Sequence, residues 1–165
     1  MTQKNRQALM VKPTVIIVGA GLVMMMTLAS VVSMGIAQQP QTSGTIGSIQ
    51  NGKNGMPAWI ASGGWDFKNI NSSSPAFNAT FNMVMLNGTA PHKHSITDFK
   101  ITGSPTKSGM ATTYNGTATV TMKGMAMSSV PISIKLTGRA MSLWVDPTMT
   151  MGHFGNTPIY GFVRK

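Results

Sequence analysis

The sequence contains no cysteine and no glutamate. The absence of cysteine excludes disulfides, thiolate nucleophiles, iron–sulfur clusters and blue-copper sites, because all of these use cysteine sulfur. Only three acids are present, Asp66, Asp98 and Asp146, against 13 Lys and Arg. Exposed helices are usually built from Glu, Lys, Gln, Arg and Ala, whereas the 18 Gly, 9 Pro and many Thr, Ser and Asn of this chain favour strands and turns. The composition therefore predicts a mainly β protein.

The scarcity of acids also argues against catalysis. Hydrolytic acid–base chemistry usually needs carboxylates or a well-placed histidine. The chain has no Gly-x-Ser-x-Gly elbow and no Walker-type phosphate loop. An enzyme acting on surface polymers would need a cleft that pairs two of the three Asp, and their wide separation does not suggest one. We therefore expect a protein that is not an enzyme.

A run of 24 residues without charge, 14–37, follows Lys4, Arg6 and Lys12. About 20 apolar residues suffice to cross a bilayer as a helix. Positive residues before the run and none after it until Lys53 predict a cytoplasmic N-terminus, 1–13, and an exported body. The run is longer than the apolar region of most signal peptides, which favours an uncleaved single-pass anchor in the cell membrane. The small residues at 35–37 keep cleavage open as the alternative.

Residues 38–57 are rich in Gln, Thr, Ser, Gly and Asn, which is typical of a flexible tether. From residue 58 to 165 the pattern changes to short runs of period two, separated by turn signals such as Asn87-Gly88 and Asn115-Gly116. This spacing predicts an N-terminal transmembrane helix followed by an antiparallel β-sandwich or barrel of about seven or eight strands. The predicted runs lie near residues 65–67, 77–85, 94–101, 118–122, 132–136, 141–145 and 158–163.

The exported body carries ten Lys and Arg against three Asp, a net charge near +7. Such a surface attracts anionic lipids or glycans, but the charges are scattered singly, which argues against nucleic-acid binding. Four Asn-x-Ser/Thr sequons fit an exported surface that carries N-glycans where the host adds them, although a chain rich in Asn, Ser and Thr also produces sequons by chance. They begin at Asn71, Asn78, Asn87 and Asn115.

Three histidines and two methionines are the candidate metal ligands. His92 and His94 are two residues apart, so on a strand they share one face and present two imidazoles to copper or zinc. If residues 149–153 are extended, Met149, Met151 and His153 also share a face. Thioethers suit Cu(I), and imidazoles suit Cu(II) or zinc. Asp98 is expected on the same face as the pair, as a ligand or an orienting group. Solvated histidines at a loop end are the competing interpretation.

Three stretches resemble one group of proteins: APHKHSITDFK (90–100), GTATVTMK with VPISIKL (116–123 and 130–136), and LWVDP with HFGNTPIYG (143–147 and 153–161). They are similar to uncharacterised exported proteins of ammonia-oxidising archaea, over roughly residues 58–163. The resemblance implies an archaeal cell surface and supplies no activity.

Two functions from different classes follow from these patterns. The first is a membrane-anchored extracytoplasmic β domain with a structural or interaction role, whose partners are the membrane, other cell-surface proteins or anionic glycans. The second is a copper- or zinc-binding domain that uses the histidine pair, His153 and the nearby methionines. The two are distinguished by whether His153 approaches His92 and His94 in the fold.

Overall fold

A computed structural model of the chain describes residues 40–122 and 124–164. The predicted N-terminus and membrane run, 1–37, lie outside these residues. Within the described ranges, no helix is long and apolar enough to cross a membrane. The described chain forms nine strands: β1 (Gln41–Asn51), β2 (Pro57–Lys68), β3 (Ala76–Met85), β4 (His92–Ile101), β5 (Thr106–Ser108), β6 (Ala111–Met122), β7 (Met125–Thr137), β8 (Ala140–Val145) and β9 (Ile159–Val163).

The strands form an antiparallel barrel, which confirms the predicted mainly β class. Their order is β4-β3-β2-β1-β9-β8-β7-β6-β5, and a further pairing of β4 with β6 closes a ring of eight strands. β5 is the extra strand and pairs with the beginning of β6. Most strands therefore pair with their neighbours in sequence, as the short predicted turns require. Closure satisfies the strand edges that an open sheet would leave exposed.

Side chains of alternating residues fill the barrel, since an eight-stranded barrel is just wide enough to be filled in this way. The largest of them are aromatic. Phe67 contacts Phe77, Phe99 and Tyr114 with ring centroids 4.9–6.0 Å apart. Phe81 lies towards the other end of the barrel, against Phe154 at 5.8 Å. One aromatic cluster thus stabilises the end where β1 begins, and a second lies at the end that carries the histidines.

The predicted tether is wrong for residues 41–51, which form β1 between β2 and β9. Ile46, Ser48 and Gln50 are buried and alternate with exposed residues, the pattern of a strand that faces a core. Close packing requires one of its small residues. A Cβ on Gly44 would overlap the Phe162 carbonyl oxygen and lie 2.7 Å from the Trp65 indole, so a larger residue has no room there.

The predicted turn at Asn115-Gly116 is also wrong, because both residues lie in the middle of β6. β6 turns into β7 at Gly124 instead, where φ is +80°. Gly116 is a site of close approach: a Cβ there would overlap the Lys100 carbonyl oxygen and lie 2.5 Å from the Phe99 ring. The glycine therefore permits β6 to pair with β4 where the ring closes. By contrast, Asn87-Gly88 is a turn as predicted, with the Gly88 N–H donating to the Met85 carbonyl.

We expect Gly116→Ala to destabilise the barrel by about 2–4 kcal/mol, since overpacking at a backbone contact forces strands apart. Gly47→Ala is the matched control. It lies on β1 with nothing within 4 Å of an added Cβ, so it should be neutral or slightly stabilising. Urea unfolding of the two variants measures the difference. Equal stability of the two would show that β4 and β6 do not approach closely at Gly116.

Candidate metal centre

Three histidines converge at one end of the barrel. His92 and His94 lie at the start of β4, and His153 lies in the segment that joins β8 to β9. Strand register places the pair level with the last part of β1. Across the sheet, His92 pairs with Met83, Met83 with Ala61, and Ala61 with Ser48. β1 begins at Gln41, which pairs with Lys68. The histidines therefore lie at the opposite end of the barrel from the beginning of β1.

The imidazole nitrogens lie close enough to share one ion. Nε2 of His153 is 3.1 Å from Nε2 of His92 and 3.1 Å from Nε2 of His94. One ligand nitrogen from each residue lies within 4.8 Å of the others. The structure thus brings together the three histidines that the sequence nominated, although 59 residues separate His94 from His153.

Backbone carbonyls fix the tautomers of the two β4 histidines. Nδ1 of His92 is 2.8 Å from the Ala90 carbonyl oxygen, and Nδ1 of His94 is 2.7 Å from that of Thr121. Because a carbonyl oxygen only accepts, each Nδ1 carries the proton and each Nε2 presents a lone pair. This is the arrangement of metal-binding histidines, whose second nitrogen is held by a carbonyl or carboxylate.

His94 is buried among aromatic rings, with only 1% of its surface exposed. Its ring centroid lies 4.8 Å from Phe154 and 5.5 Å from Phe81. Burial lowers the pKa of His94 below its ordinary value, while the hydrogen bond to Thr121 raises it and the neighbouring His92 lowers it further. His92 is half-buried against Trp59, with centroids 5.2 Å apart. A neutral His94 is ready to bind a cation without first losing a proton.

A single helical turn positions His153. Asp146 begins it by accepting a hydrogen bond from the Thr148 N–H at 2.8 Å, as an N-cap does. The turn ends where the Gly152 N–H donates to Pro147 and the Met151 N–H donates to Thr148, the pattern of a Schellman motif. The condition for a shared face, an extended segment at 149–153, is therefore not met. The alternation that would place Met149, Met151 and His153 on one face is absent.

Met149 and Met151 have separate positions in this turn. Met149 is 40% exposed, whereas Met151 is 75% exposed and borders the same pocket as His153. Met151 occupies the position of the motif that glycine usually takes, with φ at +50°. A residue other than glycine is strained in this left-handed conformation, so the methionine at this position costs conformational free energy.

Gln50 of β1 fastens the far end of the same segment. Its Nε2 donates to the Pro158 carbonyl at 3.2 Å and to Ser48 Oγ at 2.7 Å, and its Oε1 accepts from Thr157 Oγ1 at 3.3 Å. Gln50 is fully buried, so these bonds are strong constraints. Together with Phe154, they hold His153 over the end of the barrel.

Asp98 does not share the face of the histidine pair, so that expectation is wrong. β4 uses three residue steps, Thr97 to Lys100, where β6 uses two, and this bulge contains Asp98 with φ at +55°. The extra residue turns Asp98 outwards into solvent and Phe99 into the core. Counting by two along the strand fails at the bulge, and a single sequence carries no clear signal of where a bulge lies.

A pocket of about 400 Å³ lies beside His153, and sequence reasoning missed its composition. Its wall includes His153, Trp59 and four methionines: Met122, Met125, Met127 and Met151. Met122 is 95% buried, whereas Met125 is 69% exposed. No family model, curated protein or solved structure matches this chain, so the site is interpreted from its own geometry.

In the metal-free protein, we expect acid to destabilise the fold through His94. Its folded pKa lies below the unfolded value of about 6.5, so the unfolded state binds more protons in acid. This contribution to stability is present above about pH 6.5 and is lost as the pH falls towards the folded pKa. His94 adds at most about 1.4 kcal/mol per pH unit to the slope of the free energy of unfolding against pH. Urea unfolding between pH 7.5 and 5 should show a smaller slope for His94→Gln than for the wild type. Equal slopes would contradict the burial of a neutral His94.

We expect Met151→Gly to raise the free energy of unfolding of the metal-free protein by roughly 0.5–1 kcal/mol, because glycine accepts a positive φ without steric cost. The neighbouring Met149→Gly, on the helical turn itself, is the control. It should lower stability by about 0.5–1 kcal/mol. Urea unfolding measures both. A loss of stability in Met151→Gly would show that Met151 contributes packing that outweighs its backbone strain.

Proposed function

We propose that this β-barrel domain binds one transition-metal ion, copper or zinc, through Nε2 of His92, His94 and His153. The observation that carries this proposal is the convergence of three imidazole nitrogens, two of them with their lone pairs fixed by backbone carbonyls. Three histidines and an open fourth position form a ligand set that zinc uses in proteins, and imidazole is also a good copper ligand.

The spacing of the nitrogens supports a shared ion. Two nitrogens bound to one tetrahedral ion at about 2.0–2.1 Å each lie roughly 3.3 Å apart. The two Nε2 separations of 3.1 Å are close to this value. Small rotations of the half-buried His92 and His153 rings suffice to bring all three nitrogens onto one ion.

Hydrogen bonding alone explains the cluster less well than a metal does. His92 and His94 both present Nε2 lone pairs, and both are 3.1 Å from one nitrogen of His153. A single proton on that nitrogen can be donated well to only one of them. The Nε2 lone pair of the other histidine then receives no hydrogen bond from that nitrogen inside a partly buried site, which is unfavourable. An ion at the centre of the three nitrogens satisfies every lone pair at once.

We also propose that the domain acts outside the cytoplasm and is tied to the membrane by the apolar run at 14–37. The support is the positive flank of that run and the predicted direction of insertion. Because the cluster contains no carboxylate that could act as a general base, the proposed role is to bind or hand over an ion. A structural or interaction role towards surface proteins or anionic glycans is the second candidate, favoured by the net charge near +7. Mass spectrometry of the mature N-terminus tests whether the run is retained.

Titration of the purified full chain, without a polyhistidine tag, tests the metal site. We expect one equivalent of Cu(II) or Zn(II) to bind and to stabilise the fold, by about 2.7 kcal/mol when the free ion is at 100 times its Kd. Each single change His92→Gln, His94→Gln and His153→Gln should weaken binding by more than the roughly 10–100-fold that loss of a supporting partner costs.

Asp98→Asn is the control for these variants. It removes the side chain that the sequence suggested as a ligand and that the bulge turns into solvent, so binding should not change. Binding that survives the double change His92→Gln with His94→Gln would refute the proposed site. Binding that fails in Asp98→Asn would place the ion elsewhere on β4.

A further inference from the structure

The four methionines beside the histidines extend the site, and their placement follows from strand register. Met122 is the last residue of β6 and pairs directly with Met125, the first residue of β7. Two residues further along each strand, Val120 pairs with Met127. Residues that pair across antiparallel strands lie on one face, with Cβ atoms about 4.5–5.5 Å apart. Since Val120 and Met122 face the interior, Met125 and Met127 face the same way.

A second bulge creates this arrangement. From Ala118 to Val120, β6 advances two residues, while β7 advances three from Met127 to Val130. The extra residue lies next to Ser129, whose φ is +58°. Without it, the alternation set by Val130 would turn Met125 and Met127 to the outside. Bulges of this kind often redirect side chains next to functional sites.

Three of the five non-glycine residues with positive φ in the described ranges belong to the site or position its residues. Ser129 redirects Met125 and Met127, Met151 itself takes the glycine position of the Schellman motif, and Ala90 has φ at +52° where its carbonyl holds His92. Left-handed conformations of residues other than glycine cost of order 1 kcal/mol or more and tend to persist where function needs them. Packing alone would not require Met125 and Met151, since they are 69% and 75% exposed.

We infer that Met122, Met125, Met127 and Met151 form a thioether surface that receives Cu(I) and passes it to the histidines. This inference rests on the proposed metal site and names its ion. Soft thioether ligands select Cu(I) over zinc and over harder cations. His153 borders the same pocket, so an ion held by the methionines lies next to a ligand of the histidine site. The transfer exchanges ligands without any change in the oxidation state of copper.

Charge favours the same ion. The histidine cluster contains no carboxylate, so the charge of a bound metal is not neutralised by its protein ligands. The cost of removing an ion from water rises with the square of its charge, and burial makes that cost large. A monovalent ion therefore leaves less uncompensated charge among three neutral imidazoles than a divalent ion does. Lys53 at the pocket rim adds a positive charge, which further disfavours a divalent occupant.

The test replaces sulfur and preserves apolar volume. In the full chain, Met125→Leu, Met127→Leu and Met151→Leu are combined, and buried Met122 is kept so that the core is undisturbed. The control is Met110→Leu, which alters an 85% exposed methionine in the turn between β5 and β6. Cu(I) is supplied anaerobically from a colorimetric chelator, and Zn(II) is titrated in parallel.

We expect the triple variant to lose roughly tenfold or more in Cu(I) affinity or transfer rate and to bind zinc as the wild type does, because leucine offers no soft ligand. The X-ray absorption spectrum of the Cu(I)-loaded wild type should contain Cu–S scattering that is reduced in the triple variant, which keeps only the Met122 sulfur of the four. Met110→Leu should change neither property. Unchanged Cu(I) binding in the triple variant, or an equal loss of Cu(I) and zinc, would overturn the inference.

These outcomes separate the inference from the function on which it rests. If the triple variant binds Cu(I) normally while His94→Gln abolishes binding, the thioether surface is refuted and the histidine site stands. If the wild type binds none of Cu(I), Cu(II) and Zn(II), both are refuted. If a small apolar molecule is the true occupant of the pocket, the leucine variant retains that occupant and Cu(I) binding is unaffected, which also refutes the inference.

Discussion

The pairing of β4 with β6 is the contact on which both the barrel and the candidate site depend. It closes the ring of eight strands between Ile96–Ile101 and Gly116–Val120. Just beyond the ladder, His94 donates to the Thr121 carbonyl and the Ser95 N–H donates to Thr121 Oγ1 at 2.6 Å. The closure of the barrel therefore ends in the hydrogen bond that sets the His94 tautomer. A loss of closure would separate the histidine pair from β6 and from Met122 at its end.

The other half of the site is held independently of that closure. His153 is placed by local turn chemistry at Asp146 and Met151, and by Gln50 from β1. Two parts of the fold thus position the site: the pairing of β4 with β6, and the segment between β8 and β9 that lies across the end of the barrel. Such a segment can adjust slightly when an ion binds, while His94, buried between Phe81 and Phe154, remains fixed.

Much of the fold could be predicted from period-two alternation, because β3 and β8 bury alternating residues and β6 does so from Tyr114 onwards. β1 could not, since its composition resembles a tether and the close approach of Phe162 and Trp65 to Gly44 depends on the fold. The histidine ligands could be nominated because His is rare in this chain. Their approach could not, as it depends on the order of strands around the ring. The role of Asp98 was mispredicted for the same kind of reason, since a bulge depends on the neighbouring strand.

The bulges explain why the methionines were the hardest part of the site to predict. Strict alternation back from Val130 would place Met125 and Met127 outside, where they are merely exposed apolar residues. The extra residue near Ser129 brings them level with Met122, and the strained Met151 lies on the same pocket. Packing alone requires neither the positive φ of Ser129 nor that of Met151, because leucine can fill a core and glycine adopts a positive φ without strain. Two of the strained residues, Ser129 and Met151, place methionines at the pocket, which favours a role for sulfur over a role for apolar surface alone.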